Sequence, residues 1–219
     1  MIDRLARLAL RLQIRATRDD GWLDRRFVAF VFVAAYAVFV VTYLAINEFS
    51  AGRDASILYL PGEDRLPLVP ELEFIYASGY VLPAVALFKL PDAGRFVRLL
   101  FAFAFTLAGA YMTYLLFPVY LERPELTVDS LPTLMLSLEY LDHSYNHLPS
   151  LHVAISWLVY LACRATVRRP GILLIWVLSV ASSTLFVKQH YLVDVAAGLL
   201  FASAAWWIAG KIMSQTPGT

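Results

Sequence analysis

"FVAFVFVAAYAVFVVTYLAI", residues 27–46, runs for twenty residues without a charge. Coiled as a helix at about 1.5 Å per residue, such a stretch is about 30 Å long, the thickness of the hydrocarbon core of a bilayer. It is too long for a removable signal peptide and lacks a following cleavage-type site, so it reads as an anchor. The remainder of the chain agrees. Hydrophobic residues make up 60% of the 219, charged residues 16%, and the mean hydropathy is +0.64. A soluble domain holds about 45–50% apolar residues, so this composition excludes that class. The apolar runs extend from Phe27 to Ile212 with no long polar stretch between them, which predicts one membrane-embedded domain. The single cysteine, Cys163, forms no intrachain disulfide and supplies no thiolate cluster.

Five further candidate spans follow the anchor: Phe74 to Leu90, Leu99 to Pro118, Leu151 to about Val167 with Arg164 snorkelling, Gly171 to Val187, and Tyr191 to Ile212. The expected fold is therefore all-α, an integral membrane bundle of six transmembrane helices. Ahead of it, Arg4, Arg7, Arg11, Arg15 and Arg18 recur at helical spacing while Leu5, Leu8 and Leu12 take another side. This predicts an N-terminal amphipathic interfacial helix, or a solvated helix that serves only as a topology signal. The domain reading is 1–26 for that cytoplasmic-side helix, 27–213 for a six-helix catalytic domain and 214–219 for a tail.

Orientation follows from the basic residues. Six spans place the N-terminus, the Lys89 to Arg98 loop, the Arg164 to Arg169 loop and Lys211 on one side, with 14 of the 18 Lys and Arg, and that side is cytoplasmic. Arg53, Arg65, Arg123 and Lys188 lie on the other, with 12 of the 17 acids and all four histidines. The expected location is thus a cell membrane, multi-pass, with both termini cytoplasmic and any chemistry on the non-cytoplasmic face.

Two stretches on that face carry reactive residues. In "NHLPSLHVAISW", residues 146–157, Pro149 and Ser150 are good helix-start residues, and the free N–H groups that follow form an anion-binding end beside His152. Read blandly, the same residues are a cap next to a hydrogen-bonded core histidine. In "SSTLFVKQHYLVDVAAG", residues 182–198, His190 and Asp194 are four apart and share a helix face, so the carboxylate can accept the imidazole N–H. An acid behind a histidine fixes its tautomer and supports positive charge on the ring when the other nitrogen attacks an electrophile. A carboxylate at membrane depth costs about 2.5–3.5 kcal/mol unless paired, so Asp194 requires a partner; a purely structural His–Asp staple would also supply one.

These motifs resemble the type 2 phosphatidic acid phosphatase superfamily, which acts on lipid phosphates without a metal. Its second motif, Pro-Ser-Gly-His, is matched by Pro149-Ser150-Leu151-His152. Its third, Ser-Arg-x5-His-x3-Asp, is matched in spacing by Ser183-Thr184-x5-His190-x3-Asp194, with Thr184 at the arginine position and Lys188 as the substitute cation. Of the first, Lys-x6-Arg-Pro, Arg123-Pro124 is present and Leu116 stands at the lysine position. Leu151, Asn146 and the "KQHYLVDVAAG" run are similar to the branch of inositol phosphorylceramide synthase, the aureobasidin-resistance type, whose members are phosphotransferases. The resemblance covers roughly Tyr114 to Gly198.

The resemblance implies a phosphatase or phosphotransferase working through a phosphohistidine on His190, with Asp194 orienting the ring and His152 as acid and then base. Arg123, Ser150, Lys188 and Ser183 would meet the phosphoryl oxygens. Neither a cofactor nor a metal is expected. The expected partners are a lipid phosphate substrate and membrane lipids, with no nucleic acid. A homo-oligomer is allowed by the small residues Ala197, Gly198, Ala202 and Ala205 but not indicated. His143 and His147 have the i, i+4 spacing of zinc ligands, yet together with Asn146 and Tyr114 they read as substrate or lid residues around the long Glu122 to Asn146 connection. Phospho-alcohol transfer between lipids and a non-enzymatic transporter or scaffold are the competing functions.

Overall fold

The computed structural model describes residues 1–215. Those residues form nine α-helices and no β-strand: α1 (Ile2–Ala16), α2 (Arg25–Ser50), α3 (Glu73–Ser78), α4 (Leu82–Lys89), α5 (Ala93–Leu116), α6 (Leu131–Glu139), α7 (Leu151–Cys163), α8 (Pro170–Phe186) and α9 (Leu192–Met213). Of the expected tail 214–219, residues 216–219 lie outside the described part.

Among the described residues, four helical segments are long and apolar enough to cross a membrane: Arg25–Ser50, Pro70–Lys89, Ala93–Leu116 and Leu192–Met213. α7 and α8 are apolar but have only 13 and 17 residues. At about 1.5 Å per residue they are about 20 and 26 Å long, short of a 30 Å core. Sequence hydropathy extends the fourth span through Arg164 to Val167, whereas α7 ends at Cys163; the fifth, Gly171 to Val187, has the same length as α8 and is counted on its apolar character alone.

The segment 70–89 is broken rather than continuous. A 3₁₀ turn (Pro70–Leu72) leads into α3, and a second 3₁₀ turn (Gly79–Val81) separates α3 from α4. Pro83 supplies the cause, since it has no N–H to give to the carbonyl of residue 79 and the α pattern cannot pass through it.

The core is built from α5, α7 and α9, which pack on one another, while α4 and α8 flank α7. Ala202, Ala205 and Ala209 are buried on α9, and small side chains there let α5 and α7 approach closely. The arginine-rich α1 docks Ala9 and Ala16 onto this core beside Leu5 and Leu12, while Ile2, Leu8 and Ile14 remain exposed. α2 leans on α5, α4 and α1, yet only 6% of its most apolar window is buried. Phe30, Val33, Val38, Val41 and Phe49 face outward. A soluble protein does not carry so large an apolar surface; it suits lipid.

The connection between α5 and α7 is tied down at several points. The Tyr140 hydroxyl donates to Val187 O at 2.8 Å, Arg123 reaches Asp142, and the amide of Asn47 pairs with the backbone of His143 in both directions at 2.6 and 2.9 Å. Val119 bridges both Ser56 and Asn146, so three stretches of chain run together over one end of the bundle.

Candidate active site

Three segments meet under that cover: the start of α7, the 140–149 stretch, and the turn from Val187 into α9. Ser150 caps α7, its hydroxyl accepting from Val153 N at 3.3 Å, and its own N–H donates to Asp194 O at 3.0 Å. The Leu148–Pro149 peptide just before it is cis. Gly198 makes this approach of α9 to α7 feasible, because a Cβ there would lie 2.6 Å from Ser150 O. Tyr114, buried on α5, donates to Pro149 O at 2.7 Å and so fixes the same turn.

His190 and Asp194 are close, but not as one helix face. α9 begins at Leu192, because the Asp194 carboxylate turns back and accepts from Tyr191 N at 2.8 Å through Oδ2. His190 therefore precedes the helix, and its Nδ1 lies 3.5 Å from that same Oδ2 across the cap. Both groups are buried, and His190 Nδ1 and Asp194 Oδ1 have no other protein partner. The turn before them is tight: Thr184 O accepts from both Gln189 N (2.9 Å) and His190 N (3.2 Å), and Lys188 takes φ +55°, the left-handed region.

His152 is held from another direction. Its Nε2 lies 2.9 Å from Tyr76 O, and the ring stacks on Tyr76 at 4.1 Å and meets Tyr80 edge-on at 4.8 Å. A carbonyl only accepts, so Nε2 carries hydrogen and Nδ1 is the nitrogen available to take or give a proton. Gly79 provides the space, since a Cβ there would overlap His152 Nε2.

His147 is the ring that packs against His190, edge-on with centroids 5.4 Å apart. Its Nδ1 donates to Gln189 O at 2.9 Å and its Nε2 lies 3.0 Å from the Ser144 hydroxyl. Burial holds this imidazole well below its usual range, with His190 and Arg123 nearby adding to the effect, so it is neutral at pH 7. His143 points elsewhere: it is exposed and pairs with Glu48 at 3.1 Å. The i, i+4 pair thus does not converge, and among the described residues no three His, Cys, Asp or Glu side chains gather as metal ligands would.

Two cavities meet at His190. The larger, about 820 Å³, is walled by apolar side chains of α2, α4, α5 and α7 and ends at Asn146, His147, His152, Gln189 and His190. The smaller, about 460 Å³, is lined by Glu63, Asp64, Glu122, Arg123, Lys188 and Tyr191 besides His190. Arg123 is engaged: Nη1 donates to Asp142 O at 2.9 Å, and Nη2 to Asp142 Oδ1 at 2.8 Å and to Gln189 Oε1 at 3.1 Å. Burial lowers the Lys188 ammonium from its usual range while Asp64 and Glu63 oppose the shift. Ser150, Ser183 and Tyr114 line neither cavity, and the Ser183 hydroxyl donates back to Val180 O at 2.7 Å. Leu116 is exposed and also lines neither.

With this geometry in place, the sequence matches the family model of the PAP2 superfamily over residues 65–208, more than half of the chain. The chain belongs to the PAP2 superfamily. No curated protein and no solved structure matches it. Members of the PAP2 superfamily are generally phosphatases, and the matched region contains Arg123, His152, His190 and Asp194. α1 and α2 lie outside it.

Other residues of this PAP2 site gave no motif signal. Tyr76 and Tyr80 cradle His152 from a segment that hydropathy marks only as a span. Gln189 touches Arg123, His147 and Thr184 at once, and the one available clue was its place beside His190.

Proposed function

We propose that this PAP2 protein is a lipid-phosphate phosphatase or phosphotransferase that works through a phosphohistidine at the non-cytoplasmic face of a cell membrane. The observation that carries the reading is the shared large cavity, in which an apolar chamber ends at His152 and at His190, with Asp194 behind the latter. An amphiphilic phosphate would lay its tails along α2, α4 and α5 and its phosphorus at the junction of the two cavities. The phosphoryl oxygens would then turn toward Lys188 and the Arg123–Gln189 pair, with the free N–H groups near the start of α7 beyond them; Ser150 and Ser183, which line neither cavity, would support the turn and not the phosphate.

His190 Nδ1 faces Asp194, so Nε2 supplies the lone pair that attacks phosphorus. As the N–P bond forms, the P–O bond to the leaving alcohol breaks, and His152, protonated at Nδ1, gives that proton to the departing oxygen. Neutral His152 next removes a proton from water or another hydroxyl, whose oxygen attacks phosphorus and restores His190. Asp194 supports the positive ring throughout. Every step uses groups of this chain, consistent with a reaction that needs no metal.

Within this proposal residues 27–213 form one catalytic domain of six spans, α7 and α8 crossing with the help of their polar ends, and α1 rests on the cytoplasmic side as the arginine distribution requires. A second reading, transfer to an alcohol acceptor as in the inositol phosphorylceramide synthase branch, is favoured by the 460 Å³ chamber of mixed charged and apolar lining beside the same imidazole, which offers room for more than water.

Purified protein in detergent with EDTA, offered lipid monophosphates, diphosphates and phosphodiesters, tests both. Free phosphate marks the phosphatase, and a new phospholipid formed with an added alcohol marks the transferase. Turnover that survives His190→Ala, or that disappears with EDTA, defeats the proposed mechanism.

A further inference from the structure

The position that would carry a lysine in the first motif is Leu116, exposed and outside both cavities, and the arginine position of the third is Thr184, fully buried with its hydroxyl donating to Ala181 O at 2.7 Å. Arg123, for its part, spends its Nη donors on Asp142 and Gln189. Two buried donors beside His190 are left without a partner, Arg123 Nε and Gln189 Nε2, and of these residues Gln189 is the one that lines the large cavity together with His152 and His190, whereas Arg123 and Lys188 line the smaller one.

The orientation of its amide is fixed chemically. Arg123 Nη2 can only donate, so the atom 3.1 Å away must be the amide oxygen, and the NH₂ group points away from the guanidinium. That Nε2 is buried without any acceptor in the protein, on a residue only 4% exposed that lines the large cavity beside His152 and His190. Three further contacts immobilise the residue: its N–H on Thr184 O at 2.9 Å, His147 Nδ1–H on its carbonyl at 2.9 Å, and Lys188 in the left-handed turn just before it. A buried donor almost always finds a partner, and a donor held this firmly and left free is preorganised for one that arrives from outside. The charge-assisted bond from Arg123 also draws electrons from the amide and sharpens its N–H groups as donors.

Resting on the phosphotransfer reading above, we infer that Gln189 is a direct ligand of the reacting phosphoryl group, its Nε2–H binding a phosphoryl oxygen in place of the absent lysine, while Arg123 acts through it. His147 is a positioning residue in the same device. It holds the Gln189 carbonyl and does not touch the phosphate.

The test compares Q189E with wild type in detergent, using turnover of a short-chain lipid phosphate and inhibition by vanadate, which mimics the five-coordinate phosphorus. Q189E keeps an acceptor for Arg123 but replaces the N–H donor with a carboxylate. A ligand role predicts a fall of about 10²-fold or more in kcat/KM, with a matching loss of vanadate inhibition and an unchanged melting temperature. A Q189E protein that keeps wild-type turnover and vanadate sensitivity overturns the inference, because Gln189 is then only a strut for Arg123. Should Q189E fail to fold, Q189L carries the same comparison, with loss of both readouts in a folded protein supporting the ligand role and retention of both overturning it. A wild-type chain that neither turns over lipid phosphate nor responds to vanadate overturns the proposed function and this inference together.

Discussion

His152 Nε2 stands 2.9 Å from the carbonyl oxygen of Tyr76, a residue of α3, so a break in one helix positions a ring on another. The 3₁₀ turn at Gly79–Val81 follows directly, and Gly79 abuts the imidazole. Gly79→Ala is expected to drive His152 from its place. Overpacking of this kind costs about 1–3 kcal/mol in stability, and if His152 is the proton donor of the proposed mechanism it is misplaced as well, so phosphatase turnover should fall by about 10²-fold or more. Thermal unfolding and kinetics of the variant check both figures; full activity would show that His152 works from some other pose.

His147 sets an acid limit on stability. Burial depresses its folded-state value well below the ordinary 6.5, so as pH falls below about 6.5 the unfolded chain binds a proton that the folded chain refuses. The contribution is therefore present above about pH 6.5 and lost below it, at no more than about 1.4 kcal/mol per pH unit. His147→Asn should flatten the fall in melting temperature between pH 7 and pH 5 relative to wild type. Parallel curves for the two proteins would exclude this source.

Lys188 separates backbone strain from charge. A non-glycine residue in the left-handed region costs about 1–2 kcal/mol, which Lys188→Gly relieves and Lys188→Ala does not. If the ammonium serves the phosphoryl group, both variants lose turnover to a similar degree while Lys188→Gly alone gains in melting temperature. Unchanged turnover in both would assign Lys188 to the turn and nothing more.

Gly198→Ala places a methyl group 2.6 Å from Ser150 O and pushes α9 off the start of α7. The Ser150 to Asp194 backbone bond should be lost with it. Destabilisation of about 1–3 kcal/mol is expected, with a fall in kcat larger than any rise in KM for a long-tailed substrate, because most of the apolar wall belongs to α2, α4 and α5 and α7 adds only Leu151, Ile155, Leu158 and Val159. A rise in KM alone would contradict that separation.

Much of this was legible in the sequence because it is written in local patterns. The uncharged run 27–46 announces a membrane protein by length alone, and the spacing of Pro149, Ser150, His152, His190 and Asp194 carries the family. What was not legible depends on residues distant in the chain or on exact helix ends. Hydropathy averages over Pro83, so the break that seats His152 was invisible. The i, i+4 rule put His190 and Asp194 on one face, whereas Asp194 caps α9 and reaches His190 around its end. His147 and His143 share a spacing but not an environment, because Glu48 holds the His143 ring at the surface and the Gln189 carbonyl draws His147 in. No motif names Gln189, since its importance comes from partners at positions 123, 147 and 184.

α2 supplies a wall of the large cavity and yet is scarcely buried by the rest of the protein. The partition between the chamber and the surrounding lipid is thus a single helix held chiefly from within. If the proposed lipid phosphate is the substrate, it would pass beside this helix sideways, tails first, without leaving the oily phase, and the bilayer's own thickness and fluidity would then become determinants of turnover as surely as any side chain.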